Sequence, residues 1–320
     1  MDAIGGPLLE NDRMDPTVFI DDDGQAYIYR GNPDLWYVKL NEDMISYGGD
    51  ITQVPLTAEG FGIRLDNSDR NTTFEERPWI YKDNGLYYLI YAAVCCPEDI
   101  RYSTAPTAIG PWTYGGVIMP AEGASFTDHP AIINFRNSTY FFYHNGALPG
   151  GSGFTRSVAV EGFVYNSNGP IPEITMTADG PAQIQPLNTY VRQEAETIAW
   201  TEGVETVVCS EGGINISFIN DGDHIKVKGV AFGDGVTSFH ARVASATNGG
   251  AIELRLDAGD GTVIGTYIVP STGGWQTWIT VDCPVTGAID THDLFFRFVG
   301  NGTNYLLNFD WWEFDNSSKK

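Results

Sequence analysis

Short apolar runs, separated by turn residues, follow one another along the whole chain. Three segments share one arrangement, in which an acidic residue stands close before a proline, an apolar run follows, and a turn leads into an aromatic run. Asp-Gly or Asn-Gly between such runs is a strong β-hairpin signal. The pattern therefore predicts three hairpins with an aromatic second strand, and no helix of useful length. The segments are MDPTVFIDDDGQAYIY from Met14, EERPWIYKDNGLYYLIY from Glu75 and TDHPAIINFRNSTYFFYH from Thr127.

The prolines of these segments are 62 and 52 residues apart, a period typical of a four-stranded propeller blade. The innermost strands of a propeller start at one mouth of its channel, so we expect Asp15, Glu76 and His129 to share a pocket there. The cluster Asp21–Asp23 lies about 20 Å further along its strand at ~3.3 Å per residue, which predicts a solvated turn. An acid before a proline is also ordinary turn chemistry. Because the motif occurs three times at matching positions, we favour a shared pocket at the channel mouth over three separate turns.

Three blades do not close a ring, because known propellers have four or more. We therefore expect residues 1–180 to be a partial propeller, with further blades upstream of Met1 or supplied by a partner. A linker is predicted at 181–187, within a Pro-rich polar stretch. Residues 188–316 hold regularly spaced short strands, which predict a β-sandwich of the jelly-roll type. The predicted fold class is all-β.

Composition and charge restrict the partners. The 320 residues are 42% hydrophobic and 13% aromatic, with 37 glycines, a net charge of −23 and a pI near 4.3. Such acidity disfavours nucleic acid and anionic membranes, since both need a basic patch. It is compatible with a neutral polysaccharide. No apolar stretch approaches the roughly 20 residues of a membrane span.

We expect no secretion signal in residues 1–13, since they include neither a basic region nor an apolar region of the kind a signal peptide needs. N-glycosylation sequons nevertheless favour a secreted parent protein. They begin at Asn71, Asn137, Asn215, Asn301 and Asn316.

The four cysteines do not suggest a disulfide framework. Cys95 and Cys96 are adjacent, and a disulfide between adjacent residues is uncommon. Cys209 and Cys283 pair only if their strands are neighbours, and buried free thiols are the alternative.

The first half of the chain resembles glycoside hydrolase family 43, a family of five-bladed propellers that includes arabinofuranosidases and xylosidases. The motifs that carry the resemblance are DPTVFIDDDGQAYIYRG, ERPWIYKDNGLYYLIYAA and FFYHNGALPGGSGFTRSVAVEGFVYN. The resemblance implies that Glu76 is the general acid and that Asp15 modulates its pKa and orients it. It also implies that Arg156 contacts substrate and that His129 lies under the site, near a possible calcium ion. Trp79 is a further candidate for substrate binding.

The family's general base, an Asp of the first blade, has no counterpart in this sequence. Asp2 and Asp12 lack the motif. The sequence therefore leaves two functions open, a glycosidase of the arabinoxylan-directed type or a carbohydrate-binding protein without turnover. For this chain alone we expect sugar binding with little or no hydrolysis. The open propeller edges also predict self-association.

An inverting glycosidase needs one protonated and one ionised carboxyl group, ~6.5–9.5 Å apart. Burial beside Trp79 and Tyr88, and the like charge of Asp15, are expected to raise the pKa of Glu76. The alternatives are structural. Glu76 forms a salt bridge with Arg77 or Lys82, Arg156 an ion pair, and His129 belongs to the core.

The second half resembles a family 6 carbohydrate-binding module, through VRQEAETIAW, GGINISFINDGDHIKV, STGGWQTWITV and LLNFDWWEF. The resemblance implies a cleft in which two aromatic rings hold a sugar that an Asn hydrogen-bonds, and a structural Ca²⁺ bound by carboxylates. Phe218 replaces the more usual Tyr, which removes a hydroxyl group. Trp275 is expected in an exposed loop, with Trp278 packed beneath it. The cleft residues are Phe218, Trp275 and Asn308, and the metal ligands are Glu194, Glu196 and Asp310.

Overall fold

The structure, a computed structural model, describes residues 14–65, 67, 69–123, 127–166, 169–301 and 304–316. Within these residues the chain forms β-strands and one four-residue helix, which confirms the all-β prediction. The chain divides into two compact units, the first ending at Ala182 and the second beginning at Gln183. No helix in the described ranges is long and apolar enough to cross a membrane.

Three antiparallel sheets make up the described part of the first unit. Each sheet takes its strands in sequence order, as a propeller blade does: β1 to β4, β5 to β8, and β9 to β11. A short helix, α1, lies between the first and second sheets. The elements are β1 (Thr17–Ile20), β2 (Ala26–Arg30), β3 (Trp36–Leu40), β4 (Tyr47–Gln53), α1 (Ala58–Phe61), β5 (Phe74–Asp83), β6 (Leu86–Ala93), β7 (Asp99–Ala105), β8 (Thr113–Met119), β9 (Ala131–Phe135), β10 (Ser138–Asn145) and β11 (Ser157–Phe163).

All three predicted hairpins form, and their turn residues explain why. Asn84 and Gly85 between β5 and β6 have φ of 47° and 80°, the left-handed pair that a two-residue hairpin turn requires. Arg136 and Asn137 between β9 and β10 take the same region at 49° and 63°. The number of blades in the ring stays a prediction.

The register of the hairpins brings the start of the first strand and the end of the second strand to the same edge of each sheet. Because the strands are antiparallel, the end of each second strand lies beside the start of the first. Phe74 of β5 pairs with Ala93 of β6, and Ala131 of β9 pairs with Phe142 of β10. The segments that precede the first strand, follow the second and precede the third therefore meet at this edge.

The middle sheet is the best buried. Residues 87–93 of β6 are all buried, because neighbouring sheets cover both faces of this strand. The first strand of the first sheet differs, since Val18 and Ile20 are 50% and 58% exposed. Ile133 and Phe135 of β9 are 41% and 49% exposed. Large apolar side chains thus remain uncovered on the two outer sheets.

The second unit is the predicted sandwich of two antiparallel sheets. One sheet has the order β12-β17-β22-β19-β20 with β14 beside β17, and the other has β15-β16-β23-β18-β21 with β13 beside β23. Their facing sides bury one core, in which Trp312, Phe239 and Phe296 have at most 1% exposure. The strands are β12 (Leu187–Asn188), β13 (Gln193–Glu194), β14 (Trp200–Glu202), β15 (Glu205–Val208), β16 (Ile214–Ser217), β17 (His224–Gly233), β18 (Ser238–Ser245), β19 (Gly250–Leu256), β20 (Thr262–Val269), β21 (Gly274–Pro284), β22 (Asp290–Val299) and β23 (Asn308–Asp315).

The structure decides between the alternatives for the four cysteines and shows that one sequon is buried. Cys95 and Cys96 are disulfide-bonded, although the sequence made this pairing unattractive. Cys209 and Cys283 are free and buried. Asn215 is fully buried and its amide donates to the Ile216 carbonyl, so this sequon cannot carry a glycan in the folded protein.

Candidate active site and sugar-binding cleft

Asp15, which precedes β1, and Glu76, the third residue of β5, meet around the guanidinium of Arg77. Arg77 Nη2 lies 2.6 Å from Glu76 Oε1, and Arg77 Nε lies 3.6 Å from Asp15 Oδ2. Glu76 is 5% exposed, and its other oxygen accepts a hydrogen bond from the Asn32 amide. The structure therefore brings the two predicted carboxylates together. The salt bridge between Glu76 and Arg77, considered as an alternative, is also present.

The backbone of this cluster is unusual. Asp15 and Arg77 have φ of 54° and 57°, in the left-handed region that residues with a Cβ rarely adopt. Such conformations persist where surrounding contacts over-determine them, and they concentrate at functional sites. Asp15 Oδ2 is buried and has no hydrogen-bond partner among the described residues. Its contact with the Arg77 guanidinium at 3.6 Å is thus an ion pair without a hydrogen bond.

Two further acids hold Arg77 from the opposite side. Arg77 Nη1 donates to Glu98 Oε2 and to the Asp128 carbonyl, both at 3.0 Å, and the Asp128 backbone N–H donates to Glu98 Oε2 at 2.7 Å. Burial raises the pKa of Glu98 to about 7, although the Asp128 N–H and the Arg77 guanidinium oppose it. Burial likewise raises the pKa of Asp128 to about 7 against the effect of Arg77. These acids fix the cation that holds Glu76.

Sequence reasoning missed Asn32, Glu98 and Asp128 as members of this cluster. A signal for Asp128 existed, because it stands two residues before its proline, as Glu76 does. Asn32 and Glu98 carry no comparable signal. They join the cluster because the segments after β2 and before β7 return to the edge where β1 and β5 begin.

Arg156 and His129 lie at the exposed side of the cluster. Arg156 Nη1 donates to Thr127 Oγ1 at 3.2 Å and lies 3.4 Å from His144 Nε2. Burial lowers the pKa of His144 to about 4, so this ring is neutral beside the guanidinium. Desolvation, aided by Arg77 and Arg156 and opposed by Asp15, lowers the pKa of His129, an exposed residue. The alternative in which His129 belongs to the core is therefore wrong, and its place in the site stays a prediction.

Trp79 and Tyr88 do not provide the expected surroundings of Glu76. The Trp79 indole donates to the Ile132 carbonyl at 3.0 Å and packs against the third sheet. Tyr88 pairs with Tyr81, whereas Glu76 pairs with Ala92, four residues along β6. That separation is about 13 Å at ~3.3 Å per residue. Trp79 is therefore engaged in packing between sheets.

The turn Asp21–Asp23 lies away from the cluster, as predicted, but it is not simply solvated. Lys82 Nζ contacts Asp21 Oδ1 at 3.1 Å and Asp22 Oδ2 at 2.8 Å, and the Tyr87 hydroxyl donates to Asp21. Lys82 thus joins the first sheet to the second. It was considered as a partner of Glu76, and its contacts place it at the opposite end of β5.

The second unit brings together the three predicted cleft residues. Asn308 Nδ2 donates to the Trp275 carbonyl at 2.7 Å, and Ser217 Oγ donates to Asn308 Oδ1 at 2.7 Å. Phe218 follows Ser217 with φ of 57° and is partly exposed. Asn308, 2% exposed, therefore ties the Trp275 segment to the Phe218 segment.

The tryptophans of the sandwich behave largely as expected. Trp275 is partly exposed, but it is the second residue of β21 and not part of a loop. Trp278 is buried, and its indole donates to Ser210 Oγ at 3.2 Å. Trp312 lies in the core, and the Arg192 guanidinium stacks over Trp311.

The predicted calcium ligands carry unpartnered oxygens. Glu196 Oε2 and Asp310 Oδ1 are buried and have no hydrogen-bond partner in the described chain. Burial raises the pKa of both groups, and the charge of Glu194 adds to this effect. Arg192 Nη2 lies 2.9 Å from Glu194 Oε2 and 3.7 Å from Asp310 Oδ2. This arrangement fits a cation, and carboxylate oxygens are the ligands Ca²⁺ prefers.

The three carboxylates do not close around one point. Across the described residues, the three side chains whose possible ligand atoms come within 4.8 Å of one another are Cys95, Cys96 and Glu98, and two of these form the disulfide. A metal bound by Glu194, Glu196 and Asp310 therefore requires side-chain movement.

The fold and its cluster define a carbohydrate-active protein, in which a propeller-type unit carrying a carboxylate site is followed by a jelly-roll module. Residues 3–171 match the glycosyl hydrolases of family 43, and residues 194–316 match the carbohydrate binding module of family 6. The chain belongs to glycosyl hydrolase family 43 and continues into a family 6 module.

The chain is similar to two arabinoxylan arabinofuranohydrolases. It is 37% identical to that of Bacillus subtilis (strain 168), over 98% of this chain and 67% of the relative. It is 34% identical to that of Paenibacillus polymyxa, over 94% of this chain and 51% of the relative. A crystal structure of a Bacillus subtilis family 43 arabinoxylan arabinofuranohydrolase in complex with cellotetraose matches with a TM-score of 0.81 and 34% identity, over 98% of this chain and 71% of the other.

Proposed function

We propose that the protein hydrolyses glycosidic bonds of arabinoxylan, as an inverting α-L-arabinofuranosidase or β-xylosidase, and that its module binds xylan chains. The observation that carries this proposal is the convergence of Asp15 and Glu76 on one guanidinium. The names of its relatives, both arabinoxylan arabinofuranohydrolases, favour this substrate. An acidic chain suits a neutral polysaccharide.

In this mechanism Glu76 donates a proton to the oxygen of the leaving group. Arg77 and Asn32 fix its two oxygens, so the carboxyl is oriented before the substrate arrives. Asp15, which lies 3.6 Å from the same guanidinium, helps to hold the acid in place. Arg156 and His129, at the exposed side, contact the sugar hydroxyls.

An inverting reaction also needs an ionised carboxylate that activates water. Glu98 does not suit this task, because it is buried and paired with Arg77. Asp128 does not suit it either, because burial raises the pKa of its carboxyl to about 7, which disfavours the ionised form. We infer that the base belongs to a residue outside the described sheets. Asp2 and Asp12 lie outside the described residues.

Carbohydrate binding without turnover is the alternative function that the sequence leaves open. The relatives named as hydrolases favour the enzyme. Incubation of the chain with arabinoxylan, followed by chromatography of the released sugars, separates the possibilities. Released arabinose indicates an arabinofuranosidase and released xylose a xylosidase. Retention on arabinoxylan with no sugar release would establish the binding function instead.

We further propose that the module holds one structural Ca²⁺ through Glu194, Glu196 and Asp310. The ion would supply the positive charge that the two unpartnered carboxylate oxygens lack. A second calcium near His129 stays a prediction, and it would lie close to the charges of Arg77 and Arg156.

Secretion of the parent protein also remains our proposal. An extracellular polysaccharide substrate requires it, and the sequons at Asn71 and Asn137 are exposed.

A further inference from the structure

Tyr305 presents an exposed aromatic ring next to the predicted sugar-stacking residue Phe218. Its side chain is 44% exposed, and its ring centroid lies 5.2 Å from that of Phe218 at an interplanar angle of 88°. The Tyr305 hydroxyl makes no hydrogen bond to any other described residue. An exposed ring with an unused hydroxyl, beside a binding residue, is the kind of amphipathic group that sugar sites use.

The segment around Tyr305 is firmly held. The Tyr305 carbonyl accepts a hydrogen bond from Thr247 Oγ1 at 2.9 Å. The Leu306 N–H donates to the Ile219 carbonyl at 2.8 Å, and the Leu306 carbonyl accepts from Ser245 Oγ at 2.7 Å. The exposed ring therefore projects from an anchored backbone, which lowers the entropy lost when a ligand binds.

The same segment leads directly into the cleft. Three residues after Tyr305, Asn308 holds the Trp275 carbonyl and accepts from Ser217, the neighbour of Phe218. Hydrogen bonds through Asn308 thus tie the backbones that carry Phe218 and Trp275 to the strand that follows Tyr305. The three aromatic residues belong to one end of the sandwich.

The perpendicular arrangement of the two rings decides the role of Tyr305. A sugar stacked on the face of Phe218 cannot also stack on Tyr305, because the two ring planes differ by 88°. Tyr305 would therefore meet such a sugar through its ring edge or its hydroxyl and not through its ring face. Phe218 itself has no hydroxyl.

We propose that Tyr305 is a further sugar-binding residue of the module, whose hydroxyl hydrogen-bonds a neutral xylo-oligosaccharide held in this cleft. The inference rests on the proposed function of the module as a xylan-binding cleft. It assigns to a residue outside the predicted set the hydrogen bond that positions the sugar.

Calorimetric titration of the full chain with xylohexaose tests this. Tyr305→Phe removes one neutral hydrogen bond to the sugar, so it should weaken binding about 3- to 10-fold. Tyr305→Ala should lose as much or more, and Phe218→Tyr added to Tyr305→Phe should recover part of the loss. Ile268→Ala, which removes a 66% exposed apolar side chain from β20, is the control and should bind as the original chain.

Trp275→Ala distinguishes failure of the cleft as a whole from failure of the role of Tyr305. Its binding should be lost, because it removes the main stacking face. If Trp275→Ala loses binding and Tyr305→Phe does not, the role of Tyr305 is rejected while the cleft stands. If Trp275→Ala binds normally, the cleft is rejected, and the inference about Tyr305 with it.

Discussion

Arg77 is the residue on which the candidate active site depends. Its side chain is 11% exposed and contacts three carboxylates, those of Asp15, Glu76 and Glu98. Removal of one partner from a buried ion pair costs about 3–5 kcal/mol, because it leaves uncompensated charge. The guanidinium therefore both stabilises this edge of the sheets and orients the proposed acid.

Arg77→Met should lower the free energy of unfolding by about 3 kcal/mol or more. Arg77→Lys should lose less stability, since it keeps the charge, yet a lysine cannot serve several partners as the guanidinium fork does. Urea unfolding of both variants measures this. Equal stability of Arg77→Met and the original chain would show that the contacts contribute nothing.

The pKa values of Glu98 and Asp128, each raised to about 7, give a pH dependence with a definite sign. Between about pH 4.5 and 7 the folded state binds more protons than the unfolded state, so stability falls as pH rises through this window. Glu98→Gln should remove part of that fall, on the order of 3 kcal/mol. Urea titrations at pH 4.5, 6 and 8 provide the test. A fall of unchanged size in Glu98→Gln would contradict the assignment to this group.

Single residues also mark the limit of sequence reasoning about this site. Asp15 and Glu76 were predictable, because each belongs to a motif at a strand start. The roles of Asn32 and Glu98 were not, because their contacts depend on how the three sheets pack. The hydrogen bond from the Trp79 indole to the Ile132 carbonyl of another sheet was unpredictable for the same reason, and substrate binding by Trp79 stays a prediction.

At the level of elements, hairpins were the most predictable features. Asn84-Gly85 fixes both the turn and the register of β5 and β6, because few other residues accept left-handed conformations at both positions. The start of β21 was missed. The sequence suggested a loop through Trp275, but only Gly273, at φ of 88°, belongs to the turn before the strand.

The pairing of β13 with β23 is the element-level basis of the calcium proposal. Glu194 pairs with Trp311, which brings it beside Asp310. Addition of Ca²⁺ should raise the thermal midpoint of the chain, and a hundredfold excess over the dissociation constant corresponds to about 2.7 kcal/mol. The effect should be larger at pH 7 than at pH 5, since burial raises the pKa of Glu196 and Asp310 and a ligand must be deprotonated.

Calorimetric melting with Ca²⁺ and with a chelator measures the effect. Asp310→Asn should abolish the response to Ca²⁺, while Asp293→Asn, which removes the partner of Lys226, should keep it. If the original chain melts at the same temperature with Ca²⁺ and with the chelator, the proposed calcium site does not exist.

For the whole molecule, composition predicted the β-rich fold more readily than it predicted assembly. Val18, Ile20, Ile133 and Phe135 are exposed on the first strands of the outer sheets. Exposed apolar side chains of this size favour association, and the net charge of −23 opposes it.

Self-association should therefore increase with salt, which screens the repulsion between acidic chains. Sedimentation at several protein concentrations, in about 0.05 M and about 0.5 M salt, measures the associated fraction. Ile20→Lys should reduce the associated fraction. Val263→Lys, at a 44% exposed position on the sandwich, is the control and should leave it unchanged. A single monomeric species in all conditions would refute association through these strands.

The release of arabinose from arabinoxylan by the chain and by its Glu76→Gln variant is the most direct test of the proposed active site. Glu76→Gln keeps the size of the side chain and removes its proton, so the rate should fall by roughly 10²–10⁴-fold, the usual contribution of general acid catalysis. Asp23→Asn, an exposed residue at the other end of the first hairpin, should release arabinose as the original chain does. Full release by Glu76→Gln, or no release by the original chain, would contradict the account.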